Sequence, residues 1–321
     1  MIKNLRIIAM SDIQAEEVKW IWYPYIPRGK VTIIQGDPGE GKTTFMLEVI
    51  SLLTRGAPLP ECDESAAPMN VIYQTAEDGL ADTIRPRLDK SGADCSKVLV
   101  IDEAEKELTL CDERLEAAVR KTGAGLIVLD PLQAYLGCDV DMHRANEVRP
   151  IFKQLCQMAE RTSCAVILIG HMNKAQGLKA SYRGLGSIDF RAAARSILLV
   201  GRLRDNPNIR IVAHDKSSLA PEGQSIAFEL NPETGFQWKG YCDTTVDELL
   251  CGNCSHGTKT TQMEDALRET LSGSVAAEEI QKLADEMGIS LRTLMIAKKN
   301  LGVISEKQGD RWFWRLPGLR M

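Results

Sequence analysis

A nine-residue segment, GDPGEGKTT, restricts the possible folds of this chain more than any other part of its sequence. It follows a β-branched run, VTIIQ, and precedes a segment with helical periodicity that starts at Thr44. The spacing of its glycines and its Lys-Thr pair match a P-loop in the strand, loop and helix context that the motif requires. In such a loop, backbone N–H groups turn inward around a phosphate at the positive end of the helix dipole. The pattern predicts a nucleotide site.

The side chains of the loop suit ATP and Mg²⁺ as the bound cofactors. Lys42 can reach the β- and γ-phosphates, and the Thr43 hydroxyl can hold Mg²⁺. Asp130 ends the apolar run LIVLD at the Walker B position, which orders Mg²⁺ through its waters, although any buried strand can end in Asp by coincidence. We therefore predict metal ligands at Thr43 and Asp130. The residues predicted to bind nucleotide are Gly36, Asp37, Pro38, Gly39, Glu40, Gly41, Lys42, Thr43 and Thr44.

Two further polar residues follow apolar runs and are candidates for catalysis. Glu77 comes after VIYQTA, where a carboxylate can polarise the water that attacks the γ-phosphate. It can also be a solvated loop residue or a helix cap. His171 closes AVILIGH and can contact the γ-phosphate, or it can be a structural residue with ordinary hydrogen bonds.

The apolar runs also indicate the fold class. Four short runs, KVTIIQG, NVIYQTA, LIVLD and AVILIGH, alternate with stretches of helical periodicity. This alternation predicts an α/β fold with a mostly parallel sheet and helices on both faces. Two later runs, NIRIVAHD and SIAFEL, predict a hairpin that extends the sheet. We assign residues 1–240 to this core and residues 241–260, which are polar and rich in Gly and Thr, to a linker.

The remaining residues, 261–321, have the element order of a small winged helix-turn-helix domain. Three helical stretches, Gln262 to Leu271, Ala276 to Met287 and Leu291 to Leu301, precede two alternating strands around a turn at Gly309. On the third helix, Leu291, Leu294, Ala297 and Leu301 share one side and are expected to pack inward.

The opposite side of the third helix carries the predicted contacts with duplex DNA. Arg292, Ile296 and Lys299 are expected to line this outer side, and the strands add Lys307, Arg311 and Arg315. Residues 288–321 hold seven basic side chains against Glu306 and Asp310, which favours DNA over a protein partner or a dimer contact as the occupant.

Composition excludes several classes of protein. The net charge of -5 argues against a protein whose whole surface coats nucleic acid, and no apolar run approaches the ~20 residues of a membrane helix. Nine cysteines, an odd and scattered set, favour a reducing cytoplasm. Cys242, Cys251, Cys254 and His256 can form a zinc site, but the usual second close pair is missing, so incidental thiols are favoured.

The order of these motifs resembles the RecA/DnaB superfamily, and within it the RepA-type replicative helicases and related ATPases of plasmids and phages. The similarity covers about residues 20 to 240 and rests on GDPGEGKTT, IYQTAEDG, LIVLDPLQAYL, VILIGHMNK, RGLGSIDFRAAARSILL and DKSSLAPEG. It implies a RecA-like core that forms a ring or filament, usually a hexamer. It also implies Glu77 as the catalytic carboxylate, Asp130 as Walker B and His171 as the γ-phosphate sensor.

The resemblance further implies residues that act on a neighbouring subunit or on DNA. Lys216 lies in a segment similar to a DnaB-type element whose lysine and arginine enter the active site of the neighbouring subunit. The arginine position of that element is Ser218 here. Arg195 is therefore the preferred residue to act on the neighbouring site. An ordinary salt-bridged arginine is an equal alternative. The loop after His171 contains Lys174, Lys179 and Arg183, which are expected to contact single-stranded DNA unless they are simply solvated.

Together these patterns predict a cytoplasmic ATPase with a RecA-like P-loop core and a winged helix, which acts as a DNA-stimulated homo-oligomer and possible helicase of a mobile element. Two alternatives stay open. The first is a DNA-repair or DNA-loading ATPase of the RadA or KaiC kind, and the second is a DNA-binding regulator that nucleotide switches without turnover.

Overall fold

The fold is known from a computed structural model that describes residues 7–62, 65–138, 140–142, 144–172, 188–203, 205–251, 256–271, 273–309 and 311–317. A short hairpin of β1 (Trp20–Trp22) and β2 (Ile26–Pro27) precedes the main sheet. The strands of the main sheet are β3 (Val31–Gly36), β4 (Val71–Thr75), β5 (Val98–Leu99), β6 (Leu126–Asp130), β7 (Ala165–His171), β8 (Ser196–Arg202), β9 (Ile209–Ser217), β10 (Ser225–Asn231) and β11 (Gly235–Cys242). Their order is β11-β10-β9-β8-β3-β7-β6-β4-β5.

The sheet is parallel from β8 to β5 and antiparallel from β8 to β11. Along the parallel strands, alternate side chains enter two separate cores, because successive residues of a strand point to opposite faces. Ile34 and Val128 lie in one core, and Ile33 and Ile127 lie in the other. The predicted parallel sheet and the predicted β9–β10 hairpin are both confirmed.

Helices cover both faces of the parallel strands, as predicted. They are α1 (Lys42–Arg55), α2 (Arg85–Ser91), α3 (Glu113–Thr122), α4 (Ala145–Thr162) and α5 (Ile188–Ala193). Phe45 of α1 and Leu88 of α2 lie in the first core. Leu115 of α3, Phe152 of α4 and Phe190 of α5 lie in the second core. Burial on both sides explains why these strands consist almost entirely of apolar residues.

The register of the parallel strands brings their carboxyl ends to one edge of the sheet. Gly36 at the end of β3 pairs with His171 at the end of β7, and Thr75 at the end of β4 pairs with Asp130 at the end of β6. Ligands of open α/β sheets bind at this edge. The loop that joins β3 to α1 therefore lies beside the ends of three other strands.

After the sheet, the chain forms a compact group of helices with a small antiparallel sheet. The elements are α6 (Val246–Cys251), α7 (His256–Thr270), β12 (Val275–Ala276), α8 (Ala277–Glu286), α9 (Leu291–Asn300), β13 (Ile304–Gln308) and β14 (Arg311–Arg315), with strand order β12-β14-β13. We call residues 256–317 the C-terminal module. Its core includes Met263, Leu267, Ile280, Leu294 and Trp314. The element order agrees with the sequence pattern, and the identification as a winged helix stays a prediction.

The segment expected to be a linker, 241–260, contains the end of β11, α6 and the start of α7. Its polar composition did not reveal these elements, because Val246 and Leu249 pack against the sheet through only a few apolar contacts. Cys242 is buried at the end of β11, and Cys254 lies outside the described residues. Within the described parts of the chain, no helix has the length and apolar character needed to cross a bilayer.

Two residues of α9 lie on the side opposite to the one expected. Leu291 is 57% exposed although it was expected to pack inward, because it starts the first turn of α9 beyond the core of the module. Ile296 was expected on the outer side and is 6% exposed, because that side of α9 packs against β11. Leu294 and Ala297 are fully buried, as expected.

Candidate nucleotide site

The loop between β3 and α1 has a backbone that only glycine accommodates at its ends. A Cβ atom on Gly36 would lie 2.1 Å from the backbone oxygen of Val200 in the adjacent strand. Gly41 has a φ of +91°, and a Cβ atom there would lie 2.7 Å from Leu230 Cδ1. Side chains at these positions would push the loop away from the sheet. The glycines therefore keep the backbone amides close to the position that a phosphate would occupy.

Arg202, at the end of β8, donates hydrogen bonds to the same loop. Its Nε donates to Glu40 Oε1 over 3.0 Å, and its Nη2 donates to the carbonyl oxygen of Gly39 over 3.2 Å. Sequence reasoning missed this arginine. Its position at the carboxyl end of an apolar run, SILLVGR, is the signal that could have identified it, since polar residues at such ends meet at the ligand edge.

Lys42 lies almost buried over the loop, with 5% of its surface exposed. Its Nζ donates to the carbonyl oxygens of Gly36 and Asp37 over 2.9 and 2.8 Å, and it lies 3.2 Å from His171 Nδ1. Burial lowers the pKa of Lys42, and the carboxylates of Asp130 and Glu40 oppose that shift. The ammonium is thus the central cation of the site.

Thr43 and Asp130 are directly bonded to each other. Thr43 Oγ1 donates to Asp130 Oδ2 over 2.6 Å, and the Tyr73 hydroxyl donates to the same oxygen over 3.2 Å. Burial raises the pKa of Asp130, and the two hydrogen bonds and Lys42 oppose that shift. A hydroxyl beside a carboxylate is a set of hard oxygen donors, which fits Mg²⁺. Tyr73 was not predicted, because a tyrosine in the middle of a buried strand gives no signal in the sequence.

Glu77 and His171 approach each other from neighbouring strand ends. Glu77 Oε2 lies 3.8 Å from His171 Nε2, and the other ring nitrogen of His171 faces Lys42. The Glu77 side chain is 64% exposed, so solvent water reaches it. The predicted residues Lys42, Thr43, Glu77, Asp130 and His171 therefore form one continuous group.

Gln133 is a further residue at this group that the sequence did not reveal. It lies in the turn after β6, and its Nε2 is 3.5 Å from the carbonyl oxygen of His171. Its Oε1 is buried and has no hydrogen-bond partner among the described residues. It connects the segment after Asp130 with the end of β7.

The two residues that the resemblance assigns to a neighbouring site lie at the opposite edge of the sheet. Arg195 N donates to Val31 O at the start of β3. Val31 lies five residues, or ~16 Å of strand, before Gly36. The Arg195 side chain is exposed and has no ion pair with any described residue. Lys216 Nζ donates to the carbonyl oxygens of Arg191 and Ala194 over 2.6 and 2.8 Å, so it caps α5 in its own chain. Neither side chain belongs to the nucleotide site of the same chain.

The residues predicted to contact DNA are placed only in part. Lys174, Lys179 and Arg183 lie outside the described residues, in a segment that begins directly after Met172. Lys307 and Arg311 are exposed on β13 and β14 and have no ion pair among the described residues. Their contact with a phosphate backbone stays a prediction.

Arg292 and Lys299 are exposed but each lies beside a carboxylate, so they are not the free cations that were expected; their contact with DNA stays a prediction. Arg292 Nε lies 3.7 Å from Asp243 Oδ1, and Lys299 pairs with Glu61. The physical reason is that α9 packs its outer side on β11, next to carboxylates of the main sheet and its connections.

Comparison with known proteins gives several matches. The DNA repair protein RadA of Bacillus subtilis is 23% identical over 151 residues, which are 46% of this chain and 29% of RadA. The chain thus spans less than a third of the length of this relative. Protein RecA of Bordetella avium is 22% identical over 303 residues, which are 85% of this chain and 80% of RecA. Among solved structures, an ATPase domain is similar with a TM-score of 0.50 and 16% identity, over 66% of this chain and 85% of that domain.

The likeness to this solved ATPase domain shows a RecA-like fold. A family model described as "AAA domain" matches residues 2–177, which include the P-loop, Glu77, Asp130 and His171. That match covers more than half of the 321 residues. The chain therefore belongs to this AAA-domain family, AAA_25, and has a P-loop ATPase core with the RecA-like fold.

Proposed function

We propose that this chain is a cytoplasmic, Mg²⁺-dependent ATPase that couples hydrolysis to DNA, as a RepA-like replicative helicase or helicase-like ATPase of a mobile element. The observation that carries the proposal is the convergence of Lys42, the Thr43–Asp130 pair and the Glu77–His171 pair at one edge of the sheet. These groups supply a cation, hard oxygen ligands and a carboxylate open to water. Phosphoryl transfer to water requires these parts.

In the proposed reaction, the side chains position the reactants and stabilise charge. Glu77 accepts a proton from the attacking water, whose oxygen forms a bond to the γ-phosphorus while the bond to the ADP oxygen breaks. Lys42 stabilises the negative charge that develops on the phosphate oxygens. Thr43 and Asp130 would hold Mg²⁺, which would supply positive charge beside the phosphates. His171 lies between Glu77 and Lys42 and keeps the two groups in one array.

Binding of single-stranded DNA is assigned to the segment that follows Met172. Met172 N donates to Gly36 O over 3.3 Å, so this segment starts beside the P-loop. A change at the γ-phosphate can therefore reach Lys174, Lys179 and Arg183 through the end of β7. The RadA relative, a DNA repair protein, also supports DNA as the partner.

A shared site between subunits is supported by Arg195. Its backbone lies beside Val31, ~16 Å of strand away from Gly36 of the same chain, and its side chain is exposed, so it is available to the site of another copy. A ring-shaped homo-oligomer, most simply a hexamer, would bring this edge of one copy to the nucleotide edge of the next.

The match with RadA favours a second candidate, a DNA-repair or DNA-loading ATPase that does not unwind duplexes. Strand displacement on a forked substrate distinguishes the two candidates, since only a helicase releases the labelled strand. In both cases, ATP turnover should increase with single-stranded DNA.

The proposal is tested by phosphate release from the purified chain, with Mg²⁺ or EDTA and with or without single-stranded DNA, alongside mass by light scattering. Turnover that requires Mg²⁺ and increases with DNA and with oligomer formation supports the proposal. Nucleotide binding without turnover would overturn it in favour of a nucleotide-switched regulator. Full ATP turnover by a strict monomer would show that Arg195 does not act on the nucleotide site of a neighbouring copy.

A further inference from the structure

Helix α9 is held against the ATPase core at both of its ends. Near its C-terminal end, Lys299 Nζ pairs with Glu61, which lies in the connection after α1. Near its N-terminal end, Arg292 Nε lies 3.7 Å from Asp243 Oδ1, directly after β11. Thr293 Oγ1 also donates a hydrogen bond to Asp243. Two carboxylates of the core thus take up both cations on the outer side of α9.

The surface of the core is shaped to receive α9 closely. Gly240 in β11 has a φ of +82°, and a Cβ atom there would lie 3.2 Å from both Glu61 Oε1 and Asn300 Oδ1. Lys299 Nζ lies 5.1 Å from the ring centroid of Tyr241 in the same strand, within the range of a cation–π contact. Between the two ends, Ile296 is 6% exposed. The contact therefore combines two ion pairs, a ring and a buried aliphatic side chain.

The cations of this contact remain open to solvent, whereas the carboxylates are largely covered. The side chains of Lys299 and Arg292 are 62% and 66% exposed, and those of Glu61 and Asp243 are 17% and 11% exposed. Beside Arg292, a cavity lined by Asp215, Glu222 and Asp247 lies between the core and the start of α9. Because the cations stay in contact with solvent, salt screens the pairs and a competing anion can reach Lys299 and Arg292.

Three other cations of the C-terminal module differ in this respect. Lys282, Lys307 and Arg311 are exposed and unpaired among the described residues, whereas Arg292 and Lys299 of α9 are paired. A phosphate backbone would thus find these three side chains free and the two cations of α9 occupied. Lysine and arginine bind carboxylate and phosphate oxygens through the same kind of charge-assisted hydrogen bond.

We propose that the contact of α9 with Glu61 and Asp243 is autoinhibitory, and that duplex DNA competes with these two carboxylates for Arg292 and Lys299. In the docked arrangement the described part of the module offers DNA the exposed cations Lys282, Lys307 and Arg311 but not Arg292 and Lys299. Release of α9 from β11 exposes the remaining cations and the side of α9 that carries Ile296. This inference rests on the duplex binding that the sequence predicts for the module and on the proposed function of the chain as a DNA-coupled ATPase.

The test is duplex binding by the full-length chain, measured by fluorescence anisotropy at a fixed low salt concentration. The double variant Glu61→Gln with Asp243→Asn keeps every cation and removes the two competing carboxylates. Two weak ion pairs correspond to roughly a 2- to 30-fold tighter Kd. The matched control is Glu105→Gln with Glu113→Gln, because both carboxylates are exposed and unpaired among the described residues and the change in net charge is the same.

A second variant separates competition from ordinary structural pairing. Lys299→Ala removes the other half of the Glu61 pair and should weaken duplex binding, whereas Glu61→Gln alone should tighten it. If the pair only stabilised the fold, Lys299→Ala and Glu61→Gln would change duplex binding in the same direction. Thermal unfolding and ATP turnover of each variant establish that it is folded.

Tighter binding by the double variant, an unchanged control and opposite effects at Glu61 and Lys299 would support autoinhibition. Equal duplex affinities in all variants would overturn autoinhibition while leaving DNA binding by the module intact. Duplex binding that tightens as much in the control as in the double variant would also overturn it. Absence of duplex binding in every variant would overturn both the inference and the role proposed for the module. ATP turnover and its stimulation by single-stranded DNA, measured in the same preparations, would still report on the ATPase proposal.

Discussion

Lys42 and Lys299 are both held by oxygen atoms of their own chain, but the two contacts differ in burial and in sequence separation. Lys42 is 5% exposed and donates to two backbone carbonyls that lie five and six residues away. The Lys299 side chain is 62% exposed and pairs with a carboxylate 238 residues away. The P-loop contact is therefore fixed by local backbone geometry, whereas the α9 contact depends on packing between distant parts and on solvent conditions. The following predictions test this contrast.

The largest expected effect is at Glu77, the exposed carboxylate proposed as the general base. Glu77→Gln should lower the rate of phosphate release by about 10²–10⁴-fold, which is the usual contribution of a positioned general base. Binding of an ATP analogue should stay within a few-fold of wild type, because Glu77 makes no contact with the P-loop backbone in the described structure.

Asp78→Asn is the matched control for Glu77→Gln. Asp78 is the next residue and pairs with Arg87 over 3.3 Å, whereas Glu77 approaches His171. It should retain most of the activity. If the two variants lose activity equally, the loss comes from the fold of the segment after β4, and Glu77 is not the base.

Lys42→Ala should lower turnover by about 10²–10³-fold, because it removes the central cation that stabilises transition-state charge. It should also weaken nucleotide binding, measured by equilibrium titration with a fluorescent ATP analogue. Lys30→Ala serves as the control, since Lys30 pairs with Glu160 at the other end of β3. Substantial turnover by the Lys42 variant would contradict the assignment of the site.

Sequence patterns revealed most of the nucleotide site because each of its main residues follows its own apolar run. Asp130 and His171 stand at strand ends, and the parallel register then brings these ends together. Arg202, Tyr73 and Gln133 were missed. Their contacts depend on the order of strands in the sheet and on side-chain reach, which a linear pattern does not contain.

The C-terminal module shows the opposite case. Its second and third helices and its last two strands lie where they were predicted, because helical periodicity and a glycine turn are local signals, whereas α7 begins at His256, before the predicted Gln262, and β12 was not predicted. The exposed side of α9 was not predicted correctly, because Glu61, Gly240 and Asp243 become neighbours of α9 only through the tertiary fold. The missed α6 has the same cause, because its few apolar residues acquire a partner only when β8 and β9 are adjacent.

The buried side chain of His214 should make the stability of the core depend on pH. The α9 contact should not show this pH dependence. His214 is 5% exposed, accepts a hydrogen bond from Gly223 N over 2.9 Å, and burial lowers its pKa from 6.5 to about 4. Between these pH values the unfolded chain binds a proton on this ring and the folded chain does not. The stabilisation is therefore complete above about pH 6.5, and it is lost as the pH falls toward 4, by about 3 kcal/mol at most.

Urea unfolding at several pH values between 7.5 and 4.5 measures this loss. The variant His214→Asn should show a smaller decrease in the free energy of unfolding over the same range, although it is less stable at pH 7.5. Parallel curves for the two proteins would mean that His214 does not titrate differently in the folded and unfolded states.

The smallest expected effect is on stability at the α9 contact. Glu61→Gln should lower the free energy of unfolding by only about 0.2–1 kcal/mol at low salt, and the difference should vanish at high salt, because the Lys299 side chain is largely exposed. Glu160→Gln, which breaks the exposed pair with Lys30, should behave alike and is the control. A loss of about 3 kcal/mol or more would be typical of a buried pair. Such a loss would show that the α9 contact is a fixed part of the core, like the one at Lys42, and that DNA phosphates cannot displace it.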